Sequence, residues 1–192
     1  RIDRIGLSAT LGDMRLAAEA LRPGEGASVK LVEGIDEGNG LRLQIRGYLR
    51  PMPSDEEEGE EAKERPRVSE AVAADLFRFL RGRSNLLFAG SRTNVELYAD
   101  ALRGLCETAC LPNEFFPHHG NLSKAAREEV ELRLREDPRP TTAVATTTLE
   151  LGVDIGDVET VAQIGPGFSV ASLRQRLGRS GRRAGKPAVL RI

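Results

Sequence analysis

From Val68 onward, apolar runs of strand length alternate with longer stretches whose apolar residues recur every three or four positions. That alternation leaves few folds open. A strand, an amphipathic helix and a second strand make a crossover between parallel neighbours, and a parallel sheet needs helices on both faces. Val72, Leu76, Phe79 and Leu80 predict a helix that Gly82 closes. Leu86-Leu87-Phe88-Ala89 predicts a strand covered on both faces. Thr93 and Glu96 have capping-box spacing, ahead of a helix marked by Tyr98, Ala101, Leu102, Leu105 and Cys106. Phe115-Phe116 opens a second strand; Ser123 predicts the cap of a helix carrying Ala126, Val130 and Leu134, stopped by Pro138. Residues 143–146 and 161–164 are further strands, Ser169 caps a short helix with Val170, Leu173 and Leu177, and 188–192 is a last strand. The expected fold class is α/β, a parallel sheet flanked by helices.

Ahead of this region the pattern is looser. Residues 1–7 suit a short strand, followed by Ser8-Ala9-Thr10 and a helical stretch from Gly12 to Leu21 that Arg22-Pro23-Gly24 ends. Residues 41–49 alternate, with Leu41, Leu43, Ile45 and Leu49 on one face and Arg42, Gln44, Arg46 and Tyr48 on the other, and predict a half-buried strand interrupted by Gly47. Residues 50–67 carry an acidic run between prolines and suit a solvated or disordered loop.

Charge is distributed unevenly. The chain has a net charge of −1, yet residues 55–64 hold seven acids and one Lys, whereas residues 161–192 hold seven basic residues and no acid. Such asymmetry points to an anionic partner at the C-terminal end. Arg176, Arg179, Arg182 and Arg183 crowd the stretch Gln-Arg-Leu-Gly-Arg-Ser-Gly-Arg-Arg. A guanidinium fork suits phosphate oxygens, and a spacing of three would set Arg179 and Arg182 on one side of a helical turn. The cluster is either a clamp for a transferring phosphate or a basic surface patch.

In open parallel sheets, ligands bind at the carboxyl ends of the strands. The polar clusters expected there are Gly90-Ser91-Arg92, His118-His119-Gly120-Asn121, Thr146-Thr147-Thr148 with the Gly152-Val153-Asp154 turn, and Gly165-Pro166-Gly167 leading to the arginines. Hydroxyls, glycine N–H groups and helix N-termini all suit phosphates. His118 and His119 have no Cys or acidic partner at metal-ligand spacing nearby and are expected to end a strand without a metal. Cys106 and Cys110 are expected as core or free thiols. No run approaches the ~18 apolar residues of a membrane span, and no membrane partner is expected.

These motifs, in this order, resemble the second RecA-like lobe of superfamily 2 DEAD/DEAH-type helicases, a P-loop NTPase-type lobe without its own Walker A loop. Ser8-Ala9-Thr10 is similar to the motif joining the two lobes, and Leu87-Phe88-Ala89-Gly90-Ser91-Arg92 to the motif that opens the second. His119-Gly120 with Arg127 resembles the next nucleic-acid-contacting segment. The stretch from Ala145 to Gly156 resembles the fifth motif of the Lhr (large helicase-related) branch, and that from Gln175 to Arg182 the sixth, arginine-finger motif. One departure is Arg182, where Lhr sequences usually carry His; the broader superfamily has Arg.

The resemblance implies the roles. Arg179 and Arg182 would be arginine fingers and Gln175 a sensor of the γ-phosphate or its attacking water. Gly152 and Asp154 would face the nucleotide, Asp154 accepting from a ribose hydroxyl. Ser91, Arg92, Gly120, Thr146 and Thr147 would hold strand phosphates, and Ser8 and Thr10 would couple nucleotide state to strand movement. The implied cofactors are ATP and Mg, held mainly by the first RecA-like lobe. The implied partners are that lobe and single-stranded nucleic acid, DNA rather than RNA and 3′-to-5′ from the Lhr likeness. The implied location is cytoplasmic, in bacteria alongside the nucleoid. Residues 1–22 would be the end of the first lobe and the linker, 23–49 the leading strands of the second, 50–67 the acidic loop and 68–192 the second lobe. No G-x-x-x-x-G-K-[ST] loop and no acidic magnesium motif occurs in the 192 residues. The chain is therefore expected to be a fragment that does not turn over ATP alone. The alternative is a phosphate-binding single-strand module without an ATPase role.

Overall fold

The computed structural model describes residues 4–6, 13–32, 40–49, 69–150, 153–167, 169–181 and 187–192. The strands are β1 (Leu41–Gln44), β2 (Asn85–Phe88), β3 (Phe115–His118), β4 (Thr142–Ala145), β5 (Thr160–Gln163) and β6 (Ala188–Arg191). The helices are α1 (Met14–Leu21), α2 (Glu70–Leu80), α3 (Arg92–Thr108), α4 (Lys124–Glu136) and α5 (Val170–Leu177). The strands form one parallel sheet in the order β1-β6-β5-β2-β4-β3.

Side chains alternate across a strand, and here the alternation feeds two cores. Leu87, Val144 and Ala162 face α2 and α3, packing with Leu80, Val95, Leu102 and Phe115. Leu86, Phe88, Ala143, Ala145 and Val161 face the opposite layer, with Val130 and Leu134 of α4 and Leu173 and Leu177 of α5. Every residue of β2, β4 and β5 is buried, which is why these strands are continuous apolar or threonine-containing runs rather than alternating ones.

Three local expectations are corrected. The cap of α3 is Ser91, whose hydroxyl accepts from the Asn94 amide at 3.2 Å, and not the Thr93–Glu96 pair. Thr93 lies inside the helix, and Glu96 turns to His119 instead. The strand expected over 41–49 is only four residues long, and all of it but the half-buried Gln44 is exposed. Leu41, Leu43 and Ile45 are 55%, 53% and 69% exposed, while Arg46 and Tyr48 bond to Asp75 of α2. β1 lies at the sheet edge, so its amphipathic pattern marks two faces without saying which one α2 covers. Residues 4–6 form no strand.

Ser123 caps α4 as expected, accepting from the Ala126 amide at 3.2 Å. Ser123→Ala is expected to cost about 1 kcal/mol, read as a lower midpoint in urea unfolding at unchanged slope.

Candidate nucleotide and nucleic-acid interface

Three adjacent strands, β2, β4 and β3, deliver the candidate strand-contact residues to one edge. After β2, the Ala89 amide still bonds the Ala145 carbonyl at 3.0 Å. Gly90 then turns the chain at φ +77, a conformation that disfavours a side chain. Ser91 and Arg92 follow, both exposed, at the start of α3. After β3, His119 is buried and Gly120 exposed. The His119 Nδ1 accepts from the Asn121 amide at 3.3 Å, so Nε2–H donates to the Glu96 carboxylate at 2.5 Å. This ties the β3 turn to the first turns of α3. After β4, the Thr146 amide donates to the His118 carbonyl at 3.3 Å, and Thr147 is exposed in a single turn of 3-10 helix, Thr147–Leu149.

His118 is 1% exposed. Its ring nitrogens lie 2.8 Å from the Thr148 hydroxyl and 2.9 Å from the Glu131 carboxylate on α4. The two histidines thus brace the turns around the edge. Among the described residues, no group of three or more His, Cys, Asp and Glu could hold a metal ion.

Of the arginine cluster, Arg176 and Arg179 are described, and Arg182 and Arg183 lie outside the described residues. α5 starts beyond the carboxyl end of β5 and ends at Leu177, capped by Gly178. Arg179 therefore lies past the helix, in the hydrogen-bonded turn that follows it, its amide donating to the Arg176 carbonyl at 3.0 Å. Its carbonyl accepts from the Val158 amide at 3.3 Å, just ahead of β5, and the next residue, Ser180, bonds the Val189 amide near the start of β6. The main chain at Arg179 is thus beside the amino ends of β5 and β6, not on the carboxyl edge with the threonines. Its guanidinium, in a residue 8% exposed, donates to the carbonyls of Val153 at 2.8 Å and Glu150 at 3.0 Å. Asp154 is exposed and its carboxylate caps the Gly156 amide at 3.5 Å. Gln175 is half-buried on α5. Ser8, Thr10, Gly152 and Arg182 lie outside the described residues.

Sequence reasoning assigned Arg176 no firm place. The structure buries it, 3% exposed, in an ion pair with Glu150: its Nε and one terminal nitrogen lie 3.1 and 3.0 Å from one carboxylate oxygen. The other terminal nitrogen donates to Gln163 at 2.7 Å, and the guanidinium stacks 4.5 Å from the Phe88 ring. The one available signal was an acidic residue, Glu150, inside a mostly apolar stretch.

Away from these residues, a pocket of about 120 Å³ opens between α2 and the ends of β1, β5 and β6, lined by Arg46, Tyr48, Phe79 and Arg191 among others. Bonds from Tyr48 and Arg46 hold the Asp75 carboxyl below its ordinary pKa, while burial raises that of Tyr48.

The helicase conserved C-terminal domain family matches residues 70–184. The ATP-dependent helicase Lhr-Core of Sulfolobus acidocaldarius is 30% identical over 189 residues, 93% of this chain and 19% of that protein. Lhr-Core of Methanocaldococcus jannaschii is 33% identical over 120 residues, 60% of this chain and 14% of its own length. This chain thus spans less than a fifth of either relative. The solved structure of the Mycobacterium smegmatis helicase Lhr, bound to ssDNA and AMP-PNP, superposes with a TM-score of 0.73 at 28% identity, over 97% of this chain and 23% of that one. The DUF1998 helicase MrfA, at 24% identity and a TM-score of 0.71 over 96% of this chain and 24% of its own, shares the fold. The sheet and its helices are those of a RecA-like α/β lobe. The chain belongs to the helicase conserved C-terminal domain family, with Lhr-type ATP-dependent helicases as its relatives.

Proposed function

We propose that this chain is the second motor lobe of an ATP-dependent helicase or translocase. It grips a single strand by its phosphates through Ser91, Arg92, Gly120, Thr146 and Thr147. It presents Arg179 and Arg182 to the γ-phosphate of ATP, with Gln175 and Asp154 beside them. A first RecA-like lobe, in the same polypeptide, holds ATP and Mg, and Ser8 and Thr10 lie in the link between the lobes. The strand is DNA and the direction 3′-to-5′, in a cytoplasmic setting, by analogy with the Lhr helicases. Residues 68–192 would form the lobe proper, with 23–49 leading into it.

The observation that carries the proposal is the alignment of three polar turns at the ends of neighbouring strands β2, β4 and β3. Exposed hydroxyls, an arginine and a glycine amide in one row suit a run of phosphates and read no base. The relative solved with ssDNA and AMP-PNP supports the same assignment. Binding of a fluorescent oligonucleotide should weaken steeply with salt, by about 0.7 in log–log slope per phosphate neutralised. Arg92→Ala should remove about one such contact for every sequence tested. A salt-independent affinity, or a strong preference for one sequence, would sink the phosphate-grip assignment.

One observation favours a second reading, a strand-binding module without an ATPase role: Arg179 is engaged with two main-chain carbonyls. The 192-residue chain alone should show no ATP turnover under either reading. Strand-stimulated hydrolysis by a protein carrying both lobes, sensitive to Arg179, separates them.

A further inference from the structure

We propose that Glu150 is a positioning residue: clamped by Arg176, it holds the turn that connects the strand-contact threonines to Arg179. The proposal rests on the two-ligand reading above and adds the part that links its halves.

Three attachments converge on Glu150. Its amide donates to the Thr147 carbonyl at 3.0 Å, which ties it to the exposed edge. Its own carbonyl accepts from the Arg179 guanidinium at 3.0 Å. Its carboxylate receives Arg176. Arg176 is in turn fixed to the sheet, through Gln163 of β5 and the ring of Phe88 on β2, and Gln163 donates onward to the Gly165 carbonyl at 2.9 Å. A displacement of Thr147 by a bound strand therefore acts on a residue anchored to the sheet on one side and bonded to Arg179 on the other.

The chemistry of the pair argues for geometry over stability. The side chains are 4% and 11% exposed. A buried ion pair recovers little more than its own desolvation, and apolar residues of similar volume often stabilise as well or better. What apolar residues cannot do is fix direction. A guanidinium with two donors on one oxygen and a third on Gln163 sets the Glu150 carboxylate in a single orientation. Arg176, although it belongs to the arginine cluster, thus acts inside the lobe.

The test uses Glu150→Gln, which keeps the size and the acceptor oxygen but loses the charge. In the polypeptide carrying both lobes, kcat for ATP at saturating strand should fall by about 10- to 100-fold, the cost of a small misplacement of a reacting group. KM for ATP and strand affinity should stay close to wild type, the signature of an interaction made in turnover rather than in binding. The double variant Glu150→Met/Arg176→Met should regain thermal stability without regaining turnover. Wild-type kcat in Glu150→Gln, or full turnover in the double variant, would make the pair merely structural and overturn the proposal. A second arm does not depend on hydrolysis. In the 192-residue chain, the Arg179 guanidinium protons, followed by NMR, should exchange about tenfold faster in Glu150→Gln as the loop opens more often. Unchanged exchange would also overturn the proposal. If the wild-type two-lobe protein shows no strand-stimulated hydrolysis, the motor-lobe reading fails, and the NMR arm still decides whether Glu150 positions Arg179.

Discussion

Arg179→Ala, in the polypeptide carrying both lobes, is expected to lower ATP turnover by about 10³- to 10⁵-fold, the range by which arginine fingers accelerate phosphoryl transfer. The charge on the transferring phosphoryl group spreads over its equatorial oxygens, and a guanidinium placed there acts only as that charge develops. Strand binding, proposed above to depend on residues at the opposite ends of the strands, should largely persist. Arg179→Lys should be nearly as inactive. A single ammonium cannot bond the Glu150 and Val153 carbonyls 3.0 and 2.8 Å away while presenting a planar fork. The measurements are steady-state hydrolysis with saturating oligonucleotide and strand binding by anisotropy. Loss of binding in parallel with hydrolysis would show that Arg179 serves the fold of the loop or the strand itself, and the finger assignment would fall. Because the residue is nearly buried, the variants' thermal unfolding must be followed beside their activity.

Arg176→Met is expected to be the most destabilising single change in the cluster, by about 3–5 kcal/mol, because it leaves the Glu150 carboxylate uncompensated in a buried site. The Gln163 amide oxygen loses its donor as well. Removing both charges, as Glu150→Met/Arg176→Met, should return most of that stability, since the apolar pair carries no desolvation cost. The result is a double-mutant cycle read by denaturant unfolding, with a large coupling between the two positions. Independent, additive effects would mean that the contact at 3.0 Å contributes little.

Much of the scaffold was legible because its central strands are buried on both faces. Leu86-Leu87-Phe88-Ala89 can hardly be anything other than an inner parallel strand when helical periodicity flanks it on both sides. The caps at Ser123 and Ser169 were legible for a local reason: each hydroxyl bonds an amide three residues on. Local pattern misled where two local solutions competed. Ser91 and Thr93 both precede an apolar repeat, and only the direction of the chain leaving Gly90 favours Ser91. At β1 the alternation was legible but the exposure of Leu41 and Leu43 was not, because at a sheet edge the covering helix is chosen by tertiary contacts such as Arg46 with Asp75.

The candidate site divides in the same way. That Ser91, Arg92, Gly120, Thr146 and Thr147 share one edge was legible from sequence because each follows a strand, and parallel strands put their carboxyl ends on one edge. The arginines did not follow that rule. Gly178 ends α5, and α5 takes Arg179 back toward the amino ends of the strands.

The sequence by itself determined the layer order, the strands that must be inside and the chemical types gathered at their ends, because burial on both faces and helical period are written in neighbouring residues. Only the tertiary structure decided that Arg176 is locked in the core and that Arg179 is held by the main-chain carbonyls of Glu150 and Val153. Arg176 and Glu150 are 26 positions apart, and nothing local to either announces the other; the fold creates the pair by closing the turn after β4 onto α5.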